Sequence, residues 1–157
     1  MGKDRRGLGI EDDIAILAAA PVFEAFGRDA LRLLTFAAER RSLDPGERLF
    51  ARGDPADGGF IVLSGTIALE PRVPGGETIL AGRSALIGRL ALFVRGERPS
   101  EATARDAAEV MRITPTLMRR VLEEFPDAAA AIHDALAEDL TGLNRGFDRV
   151  RAMLDAD

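Results

Sequence analysis

Residues 87–104 read IGRLALFVRGERPSEATA, and the rest of the chain is best understood outward from them. Gly88 opens a short apolar turn, Arg89-Leu90-Ala91-Leu92, and six residues after Leu92 stands Arg98. Pro99, the small Ser100 and then Glu101 lead into a strand-like run. A glycine followed by one helical turn leaves backbone N–H groups at the start of that turn, and such groups favour an anion. A guanidinium held opposite by a loop of fixed length supplies a second, forked set of donors suited to phosphate.

Upstream, short apolar runs alternate with turn signals. Asp44-Pro45-Gly46-Glu47 is a turn, since proline presets φ and glycine accepts a positive φ. Strands are expected at residues 48–52, 60–63, 66–70 and 77–81, with turns at 53–58 and at Pro74-Gly75-Gly76. After Arg98, strands are expected at 101–105 and 109–113. Strands every eight to twelve residues argue for a sandwich or barrel, and a jelly roll is a natural closure. Ahead of them, residues 1–10 suggest a flexible tail carrying Lys3, Arg5 and Arg6. A helix is expected from about residue 11, with Ile14, Leu17 and Ala18 on one face, and Pro21 ends it. A second helix over residues 28–40 places Leu31, Leu34 and Ala38 inward. Thr114 with Pro115 marks a third helix start, running to Glu124.

The 87–104 segment resembles the phosphate-binding cassette of cyclic-nucleotide-binding domains, the sensor module of the catabolite-activator family. The likeness extends through Leu43-Asp44-Pro45-Gly46-Glu47, Leu49-Phe50, Gly53-Asp54, Phe60-Ile61-Val62-Leu63 and Gly65, in that family's order. The resemblance implies a mainly β fold with flanking helices: a double-stranded β-helix, or jelly roll, with N-terminal helices and a long C-terminal helix. On this reading residues 11–157 form one domain, with N-terminal helices over 11–40, the β-roll over 41–113 and C-terminal helices over 114–157. It also implies a ligand site at Gly88, Arg89, Leu90, Ala91, Arg98, Pro99, Ser100 and Glu101, for a cyclic nucleotide or another small anion, with no cofactor and no metal.

Two positions depart from the family pattern. The glutamate that would accept from a ribose 2′-hydroxyl is Arg89, and a guanidinium has donors only. The Thr or Ser that would donate to a phosphate oxygen corresponds to Glu101. Like charges about 4 Å apart at an effective dielectric of about 20 cost roughly 4 kcal/mol, and a third of that is close to tenfold in affinity. Three arrangements are compatible with the residues. Glu101 pairs with Arg98, Arg89 or both, so that the pocket satisfies itself. Alternatively Arg89 and Arg98 clamp a different anion while Glu101 turns away. In the third, Arg89 and Glu101 are solvated surface charges and the pocket is vestigial.

The C-terminal stretch, residues 127–154, reads as one helix with apolar residues at Ile132, Leu136, Leu140, Leu143, Phe147, Val150 and Leu154. These spacings of three and four approach a heptad seam. Such a helix would be on the order of 40 Å long. The resemblance implies that it runs against a two-fold mate, giving a homodimer; folding back onto the roll is the alternative. Only three residues follow Leu154, so the helix-turn-helix of the transcriptional members is not expected, nor a kinase or channel.

Composition narrows the classes further. The chain has 157 residues, 46% hydrophobic and 30% charged, with a net charge of −5, which suits a globular domain and disfavours direct DNA binding. There is no cysteine and one histidine, His133, so thiol chemistry and a histidine metal site are excluded. Tyrosine and tryptophan are absent, leaving only phenylalanine to stack on a base. The apolar run at residues 14–23 is broken by Pro21, too short for a membrane span and without a signal peptide's flanks. Basic pairs Arg40-Arg41, Arg119-Arg120 and Arg149 with Arg151 read as solvated helix faces, and Asp12-Asp13 point apart on a helix. No nucleophile–base pair or nucleotide-loop fingerprint is present. The expected protein is therefore not an enzyme but a cytoplasmic regulatory or sensor module, or a protein-interaction scaffold working through its helices.

Overall fold

The computed structural model describes residues 2–71 and 73–142, with side chains over 9–71 and 73–134. Helix α1 spans Gly2–Ala18 and α2 spans Arg28–Ala37, with a 3-10 turn at Phe23–Ala25 between them. Ten strands follow: β1 (Glu39–Leu43), β2 (Arg48–Phe50), β3 (Pro55–Ala56), β4 (Gly59–Ser64), β5 (Ile67–Leu69), β6 (Ile79–Ala81), β7 (Leu86–Ile87), β8 (Gly96–Glu97), β9 (Ala102–Ala104) and β10 (Ala108–Ile113). A 3-10 turn at Leu90–Leu92 separates β7 from β8, and α3 (Pro115–Glu124) and α4 (Pro126–Gly142) close the described chain. The strands form two four-stranded antiparallel sheets, β1-β10-β4-β7 and β2-β9-β5-β6, plus the ribbon β3-β8. This is the mainly β roll with flanking helices that the resemblance implies, built from strands spaced as the sequence predicts.

The continuous apolar run of β4 is explained by two cores, because successive side chains in a strand leave opposite faces. Phe60 and Val62 point into the roll, packing with Leu43, Leu49, Phe50, Ile67 and Ile87. Ile61 and Leu63 point the other way, into a layer of side chains from α1, α2, α3 and the 3-10 turn that includes Leu17, Phe23, Leu34, Met118 and Val121. On β10 the register shifts between Glu109 and Val110, and Val110 serves the roll while Met111 and Ile113 serve the helices. Thr114 caps α3 by accepting from the Leu117 N–H at 3.1 Å, with Pro115 in the first turn.

Several expectations need correction. Residues 2–10 are not a tail but the first turns of α1. Among the side chains described on that helix, Asp13, Ile14, Ile16 and Leu17 are buried, whereas Ala18 is exposed. The second helix stops at Ala37, and Arg40 belongs to β1. No glycine or proline ends the helix there; residues 39–43 leave it because each pairs with a residue of β10, from Glu39 with Arg112 to Leu43 with Ala108. Arg40 and Arg41 are consequently not a solvated helix face. Arg40 pairs with buried Asp13 and with Glu109 at 3.3 Å, while Arg41 donates to the carbonyls of Leu49 and Arg48. At the α1–α2 junction Arg28 donates to Glu11, and this hydrogen bond, with the charge behind it, lowers the carboxyl's pKa.

Ile132, the first residue of the expected seam, is half-buried against the helical core. Leu136 and Leu140 lie on α4, and Leu143, Phe147, Val150 and Leu154 lie outside the described residues. Among the described residues no helix is long and apolar enough to cross a membrane.

Candidate functional site

The 87–104 segment is fixed at both ends by strands. β7 pairs with β4, setting Ile87 opposite Phe60. Gly88 then turns the chain at φ 81°, a conformation that a side chain would strain, and the Leu90–Leu92 turn begins. The Ala91 N–H reaches the Gly88 carbonyl at 3.0 Å. Ala91 and Leu92 are buried, and Leu92 sits in the helical core beside Met118 and Val121 of α3. The outward residues of the same turn, Leu90, Phe93 and Val94, are exposed.

The β3-β8 ribbon, with Ala56 opposite Gly96 and Pro55 opposite Glu97, delivers Arg98 to its place. Its backbone is clasped on both sides, the N–H donating to Asp54 at 2.8 Å and the carbonyl accepting from Gly53 at 2.9 Å. The side chain runs inward and is only 5% exposed. Nη2 donates to the Gly58 carbonyl at 2.7 Å, and Nη1 lies 2.7 Å from where a Cβ on Gly88 would be. The guanidinium also lies over the rings of Phe50 and Phe60, 4.5 and 5.2 Å from their centroids. Gly88 and Arg98 are thus brought into contact across the intervening loop.

Beyond Arg98 the chain bends and enters β9 at Ala102, with burial alternating from Ser100 onward. Ser100, Ala102 and Ala104 are buried, whereas Glu101 and Thr103 are partly exposed. Glu101 therefore points out of the roll, and its carboxylate meets Arg48 Nε at 2.6 Å on the outer face of the β2-β9 pair. The expected pairing of Glu101 with Arg98 or Arg89 is not what forms. Residues 98–101 form a bend between β8 and β9, and the physical reason is that the β2–β9 pairing brings Arg48 alongside Glu101 on the outer face. Ser100, two residues beyond the arginine, is buried. Arg89 is half-buried, and among the described residues no carboxylate pairs with it. Pro99 is likewise half-buried between Arg98 and Ser100.

What the sequence did not indicate is the set of groups around Arg98: Gly58, Phe50 and Phe60, which come from the β3–β4 link, β2 and β4. Apolar residues in strands carry no local mark that they will meet a guanidinium. A separate cleft of about 720 Å³ lies between α1, α2 and the sheet, lined by Asp13, Ile16, Phe36, Arg40, Arg83 and Glu109 among others. It shares no residue with the 87–104 segment. Among the described residues no cluster of acidic or histidine side chains could hold a metal ion.

The fold is thus a two-sheet antiparallel β-roll whose glycine turn is met by an inward arginine. Residues 40–125 match the cyclic nucleotide-binding domain profile, and the chain belongs to that family. It is 29% identical over 135 residues to a CRP-like cAMP-activated global transcriptional regulator of Mycobacterium tuberculosis (strain CDC 1551 / Oshkosh), covering 84% of this chain and 60% of that protein. Among solved structures, a cyclic nucleotide-binding-like protein from Brucella abortus is 41% identical, with a TM-score of 0.63 over 71% of this chain and 98% of that one. The N-terminal domain of a transcriptional regulator from Streptomyces coelicolor A3(2) is 28% identical, with a TM-score of 0.75 over 84% of this chain and 94% of the other. The chain thus spans about three fifths of the length of the curated regulator it matches.

Proposed function

We propose that the protein is a non-enzymatic sensor module that captures a small phosphate-bearing anion between the Gly88 turn and Arg98. The observation that carries this reading is the buried Arg98 guanidinium against Gly88, with the nearby carboxylate of Glu101 drawn off to Arg48. Of the arrangements the sequence allowed, the pairing of Glu101 with Arg48 favours the two-arginine clamp, in which Arg89 and Arg98 offer the donors. Because Arg89 has no acceptor for a ribose 2′-hydroxyl, cyclic AMP is a weak ligand, and an anion with more acceptor oxygens is preferred.

Binding is read out through Leu92. Seated among Met118 and Val121, it links the turn to α3, so a ligand that shifts the turn favours one packing of the C-terminal helices over another. The acidic net charge of −5 argues against the module binding DNA itself. We place it in the cytoplasm and infer that it pairs with a second copy through the seam that begins at Ile132; sedimentation at several concentrations tests that pairing. The functional test is calorimetric titration with cyclic AMP and cyclic GMP at low and moderate salt. Heat that disappears in Arg98→Ala supports the sensor. No heat from either nucleotide, and none from inorganic phosphate, sinks it.

A second reading, an interaction scaffold, is favoured by Leu90, Phe93 and Val94, which are 50%, 39% and 56% exposed. Apolar side chains grouped on a loop mark contact surfaces more often than isolated ones do.

A further inference from the structure

We propose that Phe50 and Phe60 are positioning residues for Arg98, forming an aromatic cradle that sets the plane of its guanidinium. The functional half of this inference rests on the sensor reading; the contact itself does not. Phe50 comes from β2 and Phe60 from β4, one from each four-stranded sheet, and both are nearly buried. Their rings stack with centroids 6.0 Å apart and planes 29° from parallel. Arg98 Cζ lies 4.5 and 5.2 Å from the two centroids, so the three points form a triangle. The guanidinium rests across the pair of rings and is not sandwiched between them.

A cation this buried needs compensation for the water it has lost. Two ring faces within about 6 Å supply part of it without using any hydrogen-bond donor. The chain has no tyrosine or tryptophan, and a phenylalanine ring has no polar group with which to claim the arginine's rim. One corner of the rim is given to the Gly58 carbonyl, and another faces Gly88. The rings therefore fix the plane, and Gly58 fixes the rotation within it. Together they aim the Gly88-facing corner in the direction from which a forked, two-oxygen anion would be met. Lysine, with no plane to hold, would not gain from this cradle.

The test begins without ligand. In a spectrum of the protein with isotopically labelled arginine, Arg98→Lys identifies the Arg98 Nε–H signal. The cradle predicts that this proton is displaced upfield of the exposed arginines by the ring currents. Phe50→Leu and Phe60→Leu should each return it downfield, and Phe50→Tyr and Phe60→Tyr should keep it. A wild-type signal among those of the exposed arginines, or one unmoved by both leucine variants, overturns the contact. If a leucine variant does not fold, the wild-type position still decides. In cyclic AMP titrations each leucine variant should bind about three- to tenfold more weakly. Unchanged affinity in both leucine variants overturns the positioning role. Absence of binding of cyclic AMP, cyclic GMP and inorganic phosphate alike in the wild type sinks the sensor reading alone, and the cradle is then judged by the spectrum.

Discussion

Gly88→Ala probes the contact on which the site depends. Two costs arise, and a control separates them. The backbone at Gly88 has φ 81°, and an L-residue in that left-handed region costs about 1–2 kcal/mol. The added Cβ would also lie 2.7 Å from Arg98 Nη1, closer than real Cβ contacts come. Arg98 must then move, and the movement strains its 2.7 Å hydrogen bond to Gly58. A hydrogen bond to a charged group is worth about 1.5–3 kcal/mol, so the total loss should be about 3–4 kcal/mol. Gly75 has nearly the same backbone, φ 82°, but nothing within 4 Å of its notional Cβ, so Gly75→Ala should lose only the first part. For a chain of this size, melting should fall by about 10 °C in Gly88→Ala and about 4 °C in Gly75→Ala. Urea unfolding gives the two free energies directly. Equal losses, within about 0.5 kcal/mol, would refute the contact between Gly88 and Arg98.

Glu101→Gln tests the outward orientation of Glu101. With 35% of its side chain exposed and Arg48 62% exposed, the lost ion pair should cost less than about 1 kcal/mol, and cyclic AMP affinity should change less than about twofold. A tenfold gain in affinity would mean that the carboxylate faces the ligand after all. Arg40→Met should be far more damaging, because it strands the carboxylate of Asp13, only 6% exposed. Breaking a fully buried pair costs about 3–5 kcal/mol; with Arg40 itself 39% exposed, about 2–3 kcal/mol is expected in denaturant unfolding. Adding Asp13→Asn should recover most of the loss, and no recovery would exclude the pair as its cause. Glu11 provides a pH signature. The hydrogen bond and charge of Arg28 lower its carboxyl pKa in the folded state, so its contribution is complete above the unfolded pKa and is lost as pH falls through the folded one. Its resonance should titrate below those of other exposed glutamates and return upward in Arg28→Gln; an unchanged midpoint contradicts the pairing.

How much was legible in advance depended on whether the determining interaction was local. The proline and glycine turns, the apolar run at Phe60–Leu63, the Thr114–Pro115 helix start and the placing of Arg98 after Gly88 are all set by φ preferences, capping chemistry or chain order. These act within a few residues, and a sequence displays them directly. The two-residue strands β3, β7 and β8 were not legible, because so short a run has no periodicity to read. The end of α2 was not legible either, since residues 39–43 leave the helix only because β10 is there to pair with them.

The site divides along the same line. The residue types and spacing of the Gly88–Arg98 segment, and with them the family, were decided by the sequence itself. Tertiary structure alone decided what surrounds the arginine. Gly58, Phe50 and Phe60 stand 40, 48 and 38 positions away in the chain and meet it only when both sheets have closed. It likewise decided that Glu101 would face Arg48, because the two are far apart in the chain and come side by side only where β2 pairs with β9.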